Sequence, residues 1–155
     1  MRLFISSLNV PIGYSTPEFP SLFWPLGPSQ QAYQNSFLYY SWDIWKFTVF
    51  WSLILFGALY IIVGTIAAIS NILNKFRHKL PIGPIELFTC LFILGFYIIV
   101  GLFKGFCSGA IIGLIISAIY EAGSLTMSTW IPLTWAIIGI LYDIASSYST
   151  SRIIL

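Results

Sequence analysis

Lys104 is the only charged residue between Leu87 and Tyr120, a run of apolar and small residues interrupted at GLFKGFCSG. A second isolated charge, Asp143, stands in the last apolar run, IPLTWAIIGILYDIASSY. Charges in such surroundings have three chemical uses: an ion or solute pathway, a structural ion pair, or a helix end from which a long side chain reaches the headgroups. Lys104 has Gly101 and Gly105 close by on either side, which suits a turn at the far interface where the lysine snorkels. Asp143 suits a structural partner, with Lys104 the obvious one. Snorkelling and pairing both remain open at this level.

The other chemistry-bearing residue types argue against catalysis. His78 is the sole histidine and falls in the basic stretch NKFRHKLP, where a solvated neighbour is the simpler reading than a ligand or base. Cys90 and Cys107 lie in apolar runs, where a thiol behaves as a small hydrophobe, so neither disulfide nor metal is expected. No carboxylates pair at useful spacing, so no catalytic residue, cofactor or enzymatic activity is expected.

The elements that position these charges follow from composition. Only 8% of the 155 residues are charged, against 58% hydrophobic and 18% aromatic, and mean hydropathy is +0.90. Such a chain cannot cover itself with polar surface, so its solvent is lipid, and the expected fold is an all-α integral membrane protein. A net charge of +2 with no basic patch excludes a nucleic-acid surface. The start, MRLFISSLNVP, is too short in apolar residues for a cleaved leader, and the ending SRIIL carries no lipidation cysteine or retention signal.

Residues 1–41 hold Pro11, Pro17, Pro20, Pro25 and Pro28 among aromatic rings, an irregular segment suited to the membrane interface. Residues 42–155 form the polytopic domain, with helices expected at about 43–74, 85–104, 105–121 and 131–150. Phe47 to Ile69 is free of charge and long enough to span, with Trp42, Trp45 and Trp51 as its aromatic collar. Lys75, Arg77 and Lys79 follow in a short loop that the positive-inside rule makes cytosolic, placing the N-terminus in the lumen or outside the cell. Binding of anionic lipid is the functional alternative for this loop.

Leu87 to Tyr120 would make a straight helix of about 51 Å, too long for an upright crossing and short for two. A break at GLFKGFCSG is therefore expected. Gly101, Gly105, Gly109, Gly113 and Ser117 are spaced by four, a small-residue face suited to tight contact with another transmembrane helix. Glu121 opens a polar turn, EAGSLTMSTW, in which Ser128 or Thr129 can cap the last helix. Three crossings leave 105–120 interfacial or re-entrant. Four bring Asp43, Lys104 and Asp143 towards the lumenal side. The residues fit a non-enzymatic scaffold acting through a partner helix, with a subunit of an oligomeric ion or solute transporter as the alternative.

Gly101 to Leu155 resembles the transmembrane protein 170 family of small endoplasmic-reticulum proteins. The glycine-rich helix running into SAIYEAGSLTM, the polar turn and the ending SYSTSRIIL carry the resemblance, and Trp42, Trp45 and the stretch Arg77 to Lys79 fit it. It covers roughly the last two thirds of the chain. Lys104 and Glu121 depart from the apolar or basic residues expected there. The resemblance implies residence in the endoplasmic reticulum and nuclear envelope, a role in membrane shape, and association with bridge-like lipid-transfer proteins. It also implies three crossings and supplies no catalytic residue.

Overall fold

Backbone buried in lipid must satisfy its hydrogen bonds within the chain, and a helix does so residue by residue. The computed structural model, which describes residues 14–22, 37–78 and 83–153, is built in this way. In chain order it contains strand β1 (Phe37–Leu38), helix α1 (Ser41–Arg77), helix α2 (Pro84–Ala122), strand β2 (Met127–Ser128) and helix α3 (Trp130–Ile153). Ser41–Arg77, Ile85–Ala122 and Trp130–Tyr148 are long and apolar enough to cross a membrane, so the chain is an all-α integral membrane protein.

Two expectations are corrected. Helix α2 runs unbroken through GLFKGFCSG for 39 residues, so the helices expected at 85–104 and 105–121 are one. Among the described residues three helices, not four, are long and apolar enough to cross, and 105–120 is part of the second of them. The glycines hold their places in the helix because α1 packs directly onto them, and that contact offsets a penalty of up to about 1 kcal/mol per glycine. The length argument failed because it required an upright helix. At about 55 Å and 58 Å, α1 and α2 both exceed the hydrocarbon core, and such helices tilt or project. The second correction concerns Lys75 and Arg77, which form the last turn of α1, where cations complement the helix dipole, and do not lie in a loop. Lys79 lies outside the described residues.

Helices α1 and α2 form an antiparallel hairpin whose spacing is set by glycine. A Cβ at Gly109 would lie 2.8 Å from Ser52 Cβ and 3.0 Å from Val49 Cα, and one at Gly101 would lie 2.5 Å from Tyr60 Cβ. Gly105 meets Phe56 and the Ser52 carbonyl, and Gly113 meets Trp45 and Thr48. Ser117 is buried as well. The small-residue face read from the sequence is thus occupied by α1 of the same chain. Ion pairing of Lys75 with Glu86 closes one end of the hairpin, and Ser41 Oγ donates to Glu121 Oε2 at 2.8 Å at the other.

The turn after α2 is a Schellman closure: Leu125 N–H donates to Tyr120 O at 3.0 Å and Ser124 N–H to Glu121 O at 3.1 Å. Ser124 adopts φ 49°, a position usually held by glycine. The turn delivers β2, which pairs antiparallel with β1 through Leu38 and Met127, both fully buried. Leu38, Ile44, Phe47, Ile116 and Met127 form a core at this end. Residues 14–22 dock beside it: Tyr14 Oη donates to Phe37 O at 2.8 Å, and Phe19 packs on Phe47, Phe50 and Trp51. Pro11, Pro25 and Pro28 lie outside the described residues.

A paired substitution separates packing from helix propensity. Gly109→Ala should destabilise the folded protein by about 1–3 kcal/mol through overpacking. Gly95→Ala, which meets nothing within 4 Å, should be neutral or stabilising by up to about 1 kcal/mol. Thermal unfolding in detergent or bicelles reads both. Burial pushes the Tyr14 hydroxyl up to about 12 from an ordinary 10.0. Its contribution is full below pH 10 and is lost as pH rises towards 12, so the 14–22 segment should undock over that interval in wild type but show no such transition in Tyr14→Phe, as followed by tryptophan fluorescence.

Candidate functional site

Helix α3 runs parallel to α1 and leans on it, with only slight contact to α2. Its start is set by Ser128, whose Oγ accepts the Trp130 N–H at 3.5 Å, and by Pro132 in the first turn, where its missing N–H costs nothing. Gly139 lets α3 approach, its Cβ position lying 3.5 Å from both Phe56 and Ser108. Beyond this point α3 brings Asp143 level with Tyr60 of α1 and Lys104 of α2.

The three side chains form one unit. Lys104 Nζ donates to Asp143 Oδ1 at 2.7 Å, and Tyr60 Oη donates to Asp143 Oδ2 at 2.9 Å. The Lys104 ammonium also lies 5.6 Å from the centre of the Tyr60 ring. Tyr60 is held in place by Gly101, whose missing side chain leaves room for its Cβ. Each carboxylate oxygen of Asp143 has a donor, and its side chain is 18% exposed, whereas that of Lys104, which also meets the Tyr60 hydroxyl, is 46% exposed with one of its three N–H donors to spare. Lys104 is therefore in the middle of α2, held by a partner, and not at a helix end from which it could snorkel.

The ion pair closes one end of a cleft of about 510 Å³ between α2 and α3. From Lys104 and Asp143 the cleft passes Ser108 and Gly139 and ends among Ile111, Ile112, Trp135 and Ile138. It is polar at one end and apolar at the other, in the size range of small-molecule sites. Among the described residues no group of three His, Cys, Asp or Glu is placed to hold a metal.

Of the residues singled out in the sequence, Lys104 and Asp143 are brought together, and the glycines at 101, 105, 109 and 113 line the hairpin seam. Asp43 is not part of the unit: it occupies the first turn of α1, about 26 Å of helix rise from Tyr60. Glu121 and Lys75 close opposite ends of the hairpin. Tyr60 was missed. Its signal is a second series spaced by four, Thr48, Ser52, Phe56 and Tyr60, facing the glycines from α1, with Gly64 next in the series against Tyr97 and Leu94.

A profile for transmembrane protein 170A/B-like proteins matches residues 37–155, from β1 to the end of the chain. The chain belongs to that family. The transmembrane protein 170 match takes in the hairpin, the ion pair and the cleft together and stops short of the proline-rich start. The chain is also 40% identical over 149 residues to the uncharacterized protein YPR153W of Saccharomyces cerevisiae, covering 96% of each. No solved structure matches the chain.

If Lys104 and Asp143 act as a unit, Lys104→Met and Asp143→Asn should each destabilise the protein, and the double variant should lose less than their sum, with a coupling of about 1–3 kcal/mol. Tyr60→Phe should cost about 1 kcal/mol in wild type and less in the Asp143→Asn background. Unfolding in bicelles measures the cycle, and additive losses would show that the pair carries no coupling.

Proposed function

We propose that this transmembrane protein 170 family member is a non-enzymatic, multi-pass protein of the endoplasmic-reticulum membrane, including the nuclear envelope, that shapes the bilayer locally. In this reading it supports lipid transport as the anchor or partner of a bridge-like lipid-transfer protein. The observation that carries the proposal is a step in hydrophobic height. Helix α3 turns polar from Asp143 through Ser146, Ser147 and the following serines and threonine, at the level of Tyr60. Past that level α1 stays free of charged and amide side chains to Ile69, with Ile66 and Ile69 exposed, before Ser70 and Asn71, and α2 exposes Phe88, Leu91 and Phe92.

Along α1 the step amounts to about 14 Å of helix. Lipids beside α3 meet polar groups well before lipids beside the hairpin do, so the bilayer thins on the α3 side or the hairpin tilts. Thinning lowers the work of lifting a lipid out, which is what a lipid-transfer partner requires. The apolar hairpin end offers that partner a transmembrane contact. Positive-inside bias puts Lys75, Arg77 and Lys79 in the cytosol and the N-terminus in the lumen, and three crossings then put Arg152 on the cytosolic side as well.

Loss of the protein should disturb lipid distribution or reticulum shape without removing an enzymatic step. The direct test compares lipid delivery by the purified transfer partner with and without this protein in the acceptor membrane. Faster delivery in its presence supports the proposal. Equal delivery, with ion or solute flux through the protein alone in liposomes, would favour the transporter reading instead.

A further inference from the structure

We infer that the cleft between α2 and α3 is a lateral binding site for one phospholipid whose headgroup carries both a phosphate and an ammonium. The inference rests on the membrane-shaping, lipid-handling reading above and gives that reading a site and a ligand class.

The polarity of the cleft sets the orientation of its occupant. Its charged end, Lys104 and Asp143, lies on the side where α3 becomes serine-rich, and its apolar end, Ile112 and Trp135, lies about 12 Å deeper along the helices. A lipid of the leaflet facing the α3 C-terminus therefore presents its headgroup to the ion pair while a chain runs along Ile111, Ile112 and Ile138. The cleft opens sideways between two helices that barely touch, so a lipid enters from the bilayer without passing through water.

Charge selects the headgroup. Lys104 and Asp143 neutralise each other, and adding a net charge beside them in a low-dielectric setting is expensive. A zwitterion adds none. Its phosphate takes the spare Lys104 donor, and its ammonium approaches Asp143, whose two oxygens retain acceptor capacity beyond the bonds from Lys104 and Tyr60. The spare donor of Lys104 and its greater exposure place the phosphate on the lysine.

Native mass spectrometry of the full chain in detergent, titrated separately with phosphatidylcholine, phosphatidylethanolamine, phosphatidylglycerol and diacylglycerol, tests this. One zwitterionic lipid should be retained at least tenfold better than phosphatidylglycerol or diacylglycerol. Ile138→Trp, which fills the cleft from an exposed position, should reduce retention about tenfold without lowering the unfolding temperature. Lys104→Met should abolish the preference over diacylglycerol. Equal retention of all four lipids, a preference for phosphatidylglycerol, or unchanged retention in Ile138→Trp would overturn the site. Those results would leave the delivery experiment untouched, and a failure of delivery alongside selective retention would overturn the transport role and leave the site standing.

Discussion

The distance between α1 and α2 governs the rest of the molecule. Gly101, Gly105, Gly109 and Gly113 let the two helices approach until backbone lies close to backbone, as at Gly109 with Val49 Cα and Gly105 with the Ser52 carbonyl. In lipid no hydrophobic force draws helices together, so contact of this kind has to supply the association. It also fixes register. With Gly101 against Tyr60, the Tyr60 hydroxyl reaches Asp143, and Lys104, one turn along α2, reaches the same carboxylate. A slip of one residue along the hairpin would separate all three.

Helix α3 is held by a different balance. It touches α1 over a modest face, meets α2 mainly through the ion pair, and leaves the cleft between them open. Its apolar part ends partway along the hairpin, so the molecule offers the bilayer two hydrophobic heights at once. The ion pair and the step are connected: Asp143 begins the polar part of α3, and Lys104 meets it from a helix that is otherwise apolar on both sides of that level. A lysine so far from either end of α2 is stable there because its charge is matched and α3 brings polar groups to it.

Much of this was legible in the sequence. The four-residue spacing of the glycines announced close packing, whereas the isolation of Lys104 and Asp143 left two readings open, a pair or a lysine snorkelling from a helix end. The partner of the glycine face was not legible, since spacing states that a helix comes near but not which one, and the hydroxyl-bearing series on α1 that answers it was hidden among aromatic residues. Continuity of α2 was missed for a different reason. A run too long for an upright crossing was expected to break, and glycines beside a lysine offered the place, but a long helix can tilt or project and the contact with α1 keeps it whole. The β1–β2 pairing leaves no pattern in two-residue strands, and the closure at Ser124 lacks the glycine that usually signals it.

The hydrophobic step is the claim on which the functional account stands, and depth measurement tests it most directly. Nitroxides placed singly at Ser147 on α3 and at Ile66 on α1, both exposed in the structure, report accessibility to a water-soluble relaxant and to oxygen in a reconstituted bilayer. The account predicts that Ser147 is reached by the water-soluble relaxant while Ile66, at a similar helix height, is reached chiefly by oxygen from the hydrocarbon. Equal hydrocarbon burial of both positions would contradict it.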